Sequence, residues 1–381
     1  MIYIWFCLKK FLLKFRIVLF LLTITLVFTA CSNKSDTKES KLDLTKLIPA
    51  NFHGGETPQL DLSGPDFNWT WNDPHVLKIG PAEYWMYASA TDSFTYPVRL
   101  YRLTSTDGIN WTRNPAEPIL ADSTPGNWDA GGMETPSVVF FQGKYHLFYT
   151  GYQYNVGTPG YIANSPGDFR IGHAISDDGI LFTRVSAEPI TAPSGIDADP
   201  ENDWYAFIVG EPGAIVFNNQ IYIYFTTVGA EAGLGTSLQV IGLTRTPDGI
   251  NWSTPQLALK PDQTIYPRNQ DWVGYSTPNA VLLDGEIHLF IDVAHQPDGG
   301  NWLQLKLHHA YSPNGETQWV QDPVSIRNSG DFTWAADEIR SPHALLDGTT
   351  LRLYFAGHEL NGTPPEHFAV GMMTCNLRSD K

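Results

Sequence analysis

Three observations predict an all-β fold made by radial repetition. Five times a proline opens a short alternating apolar run, a tight turn follows, and an aromatic-rich run returns. The five prolines, Pro74, Pro136, Pro212, Pro278 and Pro342, lie 62, 76, 66 and 64 residues apart. No window longer than about two turns keeps the 3.6-residue apolar stripe of an amphipathic helix. Hairpins at a regular period read as blades, and five of them predict a five-bladed β-propeller. In such a fold only one end of the central axis gathers equivalent residues from every blade.

The first segment of the chain is of another kind. Residues 1–30 carry Lys9, Lys10, Lys14 and Arg16, a charge-free apolar stretch from Ile17 to Val27, and no acid. A basic region followed by a short apolar one is a secretory signal. It ends in Phe28-Thr29-Ala30-Cys31, which resembles a bacterial lipobox with Phe28 in the place of the usual leucine. The resemblance implies lipidation of Cys31, a membrane partner through that lipid, and a lipoprotein of the outer membrane facing the periplasm or the cell surface. The alternatives are a plain membrane anchor or a signal cut elsewhere. Residues 31–43 read as a polar tether, and residues 44–381 as the propeller domain.

Without residues 1–30 the chain has 20 basic against 40 acidic residues. That balance repels phosphate backbones and argues against a nucleic-acid partner. Of three cysteines, Cys7 falls in the signal and Cys31 in the lipobox, so Cys375 is left without an intrachain disulfide partner. Aromatic residues make up 13% of the chain and charged ones 17%. Both values fit stacked sheets, with or without sugar-facing aromatics.

Each blade is written in the same order. The hairpins pair Asp73-Pro74-His75-Val76 with residues 83–87, Thr135-Pro136-Ser137-Val138 with 144–149, and Glu211-Pro212-Gly213-Ala214 with 220–225. Thr277-Pro278-Asn279-Ala280 pairs with 286–290, and Ser341-Pro342-His343-Ala344 with 351–355. A third strand follows each hairpin. Four times it ends in a related turn, at Asp107-Gly108, Asp178-Gly179, Asp248-Gly249 and Asn314-Gly315. These dipeptides predict type I′ turns with structural Asp residues, and the next aromatic packs between blades. The fifth unit runs straight to the C-terminus and lacks an outer strand. An open edge is a liability, so a segment between Leu44 and Trp69 is expected to close it. Trp128, Trp204, Trp272 and Trp334 precede their blades' prolines, with Trp69 and Trp71 in the first; they either plug gaps between blades or stack on sugars at the mouth.

The residues just before the key prolines are Asp73, Thr135, Glu211, Thr277 and Ser341, and one step back stand Asn72, Glu134, Gly210, Ser276 and Arg340. Asp73, Glu134 and Glu211 therefore come from adjacent blades onto one mouth, with Arg340 and Glu338 from the fifth. Carboxylates crowded near apolar walls push their pKa values apart, so that one stays ionised while another keeps its proton. Glycoside hydrolysis needs that division. An isolated acid before proline, by contrast, merely caps a strand end.

Over residues 68–376 these motifs, in this order, resemble the five-bladed glycoside hydrolases of families 43 and 32 (arabinanases, xylosidases, arabinofuranosidases, fructosidases). The resemblance implies Asp73, in Trp71-Asn72-Asp73-Pro74, as general base or nucleophile, and Glu211 in the place of an Asp that modulates the acid or holds the substrate. It also implies a general-acid Glu two residues before the fourth proline, and here that residue is Ser276. The proton donor is then Glu134, Glu211 or a histidine among His75, His295, His343 and His358. Arg340, Trp128, Trp272, His295 and His75 are the expected substrate-binding residues. No cofactor is required by this chemistry, although related propellers hold a structural calcium in the channel, with His295 or His358 as the candidate ligand here. No cysteine–histidine zinc spacing, EF-hand loop, phosphate-cradling glycine loop or serine-nucleophile elbow occurs. The sequence thus points to a glycoside hydrolase acting on oligosaccharide or polysaccharide. A non-catalytic surface glycan-binding lipoprotein is the alternative that Ser276 favours. A mannoside phosphorylase would need a basic phosphate pocket, for which Arg340 alone is thin support.

Overall fold

Every key proline sits in the innermost strand of an antiparallel unit, and among the described residues there are five such units. In this computed structural model the described residues are 42–60, 63–64, 67–68, 70–91, 97–153, 169–194, 203–230, 237–297, 302–358 and 368–379. Cys31 and Trp69 lie outside them, as do the signal assigned to residues 1–30 and all but residues 42 and 43 of the tether assigned to 31–43. The inner strands are Thr70–Gly80, Gly132–Phe141, Ile208–Phe217, Trp272–Leu283 and Glu338–Asp347. Each pairs with a second strand: Glu83–Thr91, Lys144–Tyr152, Gln220–Ala230, Glu286–His295 and Thr350–His358. Third strands follow at Arg99–Ser105, Arg170–Ser176, Ser237–Thr246, Leu303–Ser312 and Ala369–Asn376. Neighbouring inner strands touch one another in a closed cycle, the fifth returning to the first. This is a β-propeller. Among the described residues the helical segments are short 3-10 turns, as the missing helical periodicity predicts.

The last blade is closed from the other end of the chain. Phe52–Gly54 pairs with the third strand of blade five, Phe52 facing Cys375 and Gly54 facing Met373. Arg327 holds this strand in place through the carbonyls of Pro49 and Phe52, at 2.9 and 2.5 Å.

The turns after the third strands differ from the expected type I′. Only the glycines have positive φ (Gly108 74°, Gly179 72°, Gly249 73°, Gly315 71°), whereas type I′ needs it at two successive residues. The side chains close these loops instead. Ser105 Oγ accepts the Gly108 N–H (2.9 Å), and Asp107 Oδ1 accepts those of Ile109 and Asn110 (2.8 and 2.9 Å). The Asp residues are structural, as expected. The aromatic that follows packs on the preceding blade: Trp111 on Tyr354, Phe182 on Tyr87, Trp252 on Phe148 and Trp319 on Tyr224.

At each key proline the ladder slips, so that two inner-strand residues oppose one on the second strand. Proline has no N–H to give to a ladder, and a bulge is where that costs nothing. The residue before it takes a left-handed conformation in all five blades: Asp73 φ 53°, Thr135 52°, Glu211 52°, Thr277 45° and Ser341 51°. Such a φ is strained for non-glycine residues and more so before proline, at roughly 1–3 kcal/mol each. Five copies in register aim five side chains at the axis.

Candidate active site

A hydrogen-bonded ring holds the five strained residues. Asp73 Oδ2 accepts the Thr135 N–H (3.3 Å), and Thr135 Oγ1 meets Thr150 Oγ1 at 2.5 Å. Thr150 Oγ1 accepts the Glu211 N–H (2.6 Å), and Glu211 Oε2 accepts that of Thr277 (3.1 Å). Ser276, the neighbour of Thr277, donates its hydroxyl to Asp292 Oδ1. Asp292 Oδ2 accepts the Ser341 N–H (2.9 Å), and Ser341 Oγ returns to Asp73 Oδ1 (2.7 Å). Second-strand residues opposite the bulges (Ser89, Thr150, Thr226 and Asp292) supply the other acceptors.

On this ring lies a cavity of about 460 Å3, within the roughly 300–1,000 Å3 span of small-molecule sites. Glu134, Glu211, Glu338 and Arg340 line it, together with Gln239, Gln304 and His358. Its apolar wall comes from Phe169, Ile208, Val228, Trp302 and Phe368. Glu134 keeps some exposure to the cavity but is enclosed by protein and faces other acids. Burial first, then repulsion from Asp73 and Glu211, push its carboxyl up to about 8, with Arg340 opposing. Asp292 is fully buried; burial and the charge of Glu211 raise it to about 7, against the hydrogen bonds from Ser276 and Ser341 and the attraction of Arg340. Burial works against the charge of Arg340, yet Glu338, Asp73, Asp292 and Glu211 hold its guanidinium more firmly protonated than usual. Glu338 is buried too, and its pKa nevertheless falls because His358, Arg340 and the Gln304 N–H stabilise the carboxylate.

The sequence-predicted residues divide into two groups. Asp73, Glu134, Glu211 and Arg340 meet around the axis, Asp73 in the ring with both oxygens engaged and the other three on the cavity wall. The cavity lining does not include Trp128, Trp272, His295 or His75. Trp128 stacks on Tyr149 and donates to the Ala187 carbonyl (2.9 Å); Trp272 packs on Tyr266 and His295, whose Nε2 meets the Gln270 carbonyl (3.0 Å). These two tryptophans fill space between strands because their neighbours offer apolar walls there. His75 lies one residue past its proline, in a deeper layer with His343; their rings are 4.4 Å apart.

Asp292, Gln239, Gln304 and Trp302 were not anticipated. Asp292 had a signal, a lone acid inside Leu289-Phe290-Ile291-Asp292-Val293-Ala294, on a strand otherwise fit for a dry core. It stands directly across the ladder from Ser276, so blade four does bring a carboxyl to the ring. Among the described residues no three His, Cys, Asp or Glu side chains are grouped to hold a metal, and the buried carboxylates surround a guanidinium.

No family model matches the chain, and no curated protein matches it in sequence. Its fold, however, is shared with solved glycoside hydrolases. A thermostable family-43 glycoside hydrolase is 16% identical with a TM-score of 0.60, over 84% of this chain and 97% of that one. The endo-arabinase of Bacteroides thetaiotaomicron is 17% identical with a TM-score of 0.54, over 84% and 97%. The catalytic domain of the Coprinopsis cinerea GH62 α-L-arabinofuranosidase is 14% identical with a TM-score of 0.58, over 86% and 98%. The chain therefore has the β-propeller architecture of these enzymes, as its proline-led repeats predict.

Proposed function

We propose that the chain is a glycoside hydrolase acting on polysaccharide-derived glycans, with neutral Glu134 as the proton donor. One observation carries this reading: a carboxyl held protonated near neutrality and a second carboxyl, Glu211, that accepts the Thr277 N–H line one cavity at the propeller axis. Glu134 gives its proton to the glycosidic oxygen as the bond to the anomeric carbon breaks. Glu211 either deprotonates the attacking water, which inverts the anomeric centre, or attacks that carbon itself, which retains it. Asp73 acts from behind, its charge repelling a second charge on Glu134. Arg340 balances the cluster and presents its buried Nε, which has no hydrogen-bond partner among the described residues, to a substrate oxygen. The shared fold and the names of the similar enzymes make arabinosides the first substrates to try.

The test is release of product from aryl α-L-arabinofuranosides and arabinan oligosaccharides, repeated with variants. Glu134→Gln is expected to lose ~10²–10⁴-fold with natural leaving groups. Glu211→Gln is expected to be inactive, whereas Asp73→Asn retains turnover with its alkaline limb moved to lower pH. Asp73→Asn inactive at every pH would exchange the roles of Asp73 and Glu211. Binding of the same glycans without release by the wild type would instead establish a glycan-binding protein. We also propose, from the lipobox-like Phe28-Thr29-Ala30-Cys31, that Cys31 carries a lipid and holds the protein at the outer membrane. Mass spectrometry of the N-terminal peptide from cells decides it, an unmodified Cys31 being the contrary result.

A further inference from the structure

We propose that Glu338 and His358 form a recognition dyad, in which His358 Nδ1 accepts a hydrogen bond from a ring hydroxyl of a neutral sugar and Glu338 holds the imidazole for it. The proposal rests on the glycan reading above and names the group that reads the substrate.

The two residues face each other across the first two strands of blade five. The same rim position holds Thr70 and Thr91 in blade one, Gly132 and Tyr152 in blade two, Ile208 and Val228 in blade three, and Gly274 and Ala294 in blade four. Blade five alone places an acid there. Glu338 and His358 are 5% and 2% exposed, and both line the cavity.

Both oxygens of Glu338 are spent. Oε1 accepts the Gln304 N–H (2.9 Å), and Oε2 lies 2.8 Å from His358 Nε2. Glu338 is thus an orienting group rather than a proton donor to substrate. A carboxylate accepts only, so Nε2 carries the hydrogen, and a ring bearing that one proton keeps a free lone pair at Nδ1. That Nδ1 is buried and has no hydrogen-bond partner among the described residues. The edge of the imidazole meets Phe368, with ring centroids 4.2 Å apart at 76°, which limits its rotation. An acceptor backed by an anion selects a ligand that donates, and a sugar hydroxyl does so. A uronate or sulfate group at this point would meet a lone pair and the charge of Glu338. Ile208 and Val228 add an apolar wall of the kind that the C–H face of a sugar ring needs.

Nitrogen-15 NMR of the full chain, with L-arabinose, D-galactose and D-galacturonate as probes, tests the dyad without requiring turnover. The free protein is expected to show His358 as the Nε2–H tautomer. A saturating neutral sugar is expected to move the Nδ1 resonance, and galacturonate to leave it in place. His358→Phe is expected to bind the neutral sugar ~10-fold more weakly, about one neutral hydrogen bond. In Glu338→Gln the side-chain amide donates to Nε2, so the proton moves to Nδ1. That variant is expected to lose its preference for a hydroxyl over a fluorine at the contacted carbon, which a merely structural role would not alter. An Nδ1–H tautomer in the wild type overturns the dyad. Product release from arabinosides with Nδ1 unmoved by either neutral sugar overturns it too, and leaves the hydrolase standing. A moving Nδ1 without product release supports the dyad and overturns the hydrolase.

Discussion

Two polar layers cross the propeller channel on either side of the key prolines, and they are built to opposite specifications. The deeper one holds the residues just after the key prolines: His75, Ser137, Gly213, Asn279 and His343. Each polar member is bonded to the next blade. His75 Nε2 donates to the Val138 carbonyl (2.8 Å), Ser137 Oγ accepts the Ala214 N–H (2.8 Å), Asn279 Oδ1 accepts the Ala344 N–H (2.8 Å), and His343 Nε2 donates to the Val76 carbonyl (2.9 Å). Asn279 Nδ2 completes His343 at Nδ1 (2.8 Å). None of these side chains has an unpartnered polar atom, whereas Asn72, Gln239, Arg340 and His358 of the layer above do. A buried polar layer that satisfies itself is architecture; one left unsatisfied, with like charges together, is set up to meet a ligand.

The largest expected effect breaks the deeper layer. A Cβ on Gly213 would lie 1.9 Å from the Pro278 carbonyl oxygen and 3.3 Å from Asn279 Cα, so blades three and four touch there only because the side chain is missing. Gly213→Ala is expected to lower Tm by about 1–4 degrees or more, the shift that roughly 1–3 kcal/mol or more of overpacking produces in a domain of this size. A near-wild-type melt would mean that the layer is loose.

The next effect sharpens the contrast through pH. His75 is pushed down to about 4 by burial, and His343 also falls, through burial and the neighbouring His75. The unfolded chain then binds more protons between about 4 and 6.5. Stability from this layer is full above 6.5 and is lost on acidification, by about 1.4 kcal/mol per pH unit for each histidine. Glu134 and Asp292 are raised from the ordinary 4.5 and 3.8 to about 8 and about 7, so the folded chain binds more protons between those limits and their contribution is lost as pH rises across them. Between about 4.5 and 6.5 the two slopes oppose each other, so denaturant midpoints are expected to change little there and to decline from about 6.5 to 8. His75→Gln should tilt the flat region into a decline, and Glu134→Gln should weaken the decline above about 6.5. Both variants tilting the profile the same way would contradict the division.

The smallest effect concerns Ser276. Its hydroxyl donates to Asp292, and that bond opposes the upward shift of the carboxyl. Ser276→Ala is expected to raise the Asp292 midpoint by less than about one unit, with little change in Tm. A fall in that midpoint would show that the hydroxyl stabilises the protonated form.

The proline spacing made the blades legible, because an X-Pro pair in a strand forces a bulge and the bulges point at the axis. It likewise exposed Asp73, Glu134, Glu211 and Arg340, which sit at or beside those bulges. Asp292 and His358 were harder to place in the site. Both are on second strands, where side-chain direction depends on the register set by the bulge opposite. His75 is on an inner strand, two positions past Asp73 and beyond the bulge at Pro74, which puts it in the deeper layer with His343. Tryptophan content does not reveal ring direction, so Trp128 and Trp272 were open between wall and filler until their neighbours were known. The Asp-Gly turns were located correctly but given the wrong geometry, since their serine and aspartate side chains supply the closing bonds.

The central claim is that acids from separate blades share one hollow closely enough to set each other's protonation. Carbon-13 NMR titration of the Glu134 and Asp292 carboxyls in the full chain tests it most directly. Midpoints of about 8 and about 7 are predicted, with that of Glu134 falling in Asp73→Asn. Midpoints near the ordinary 4.5 and 3.8, unmoved by removal of the Asp73 charge, would contradict it.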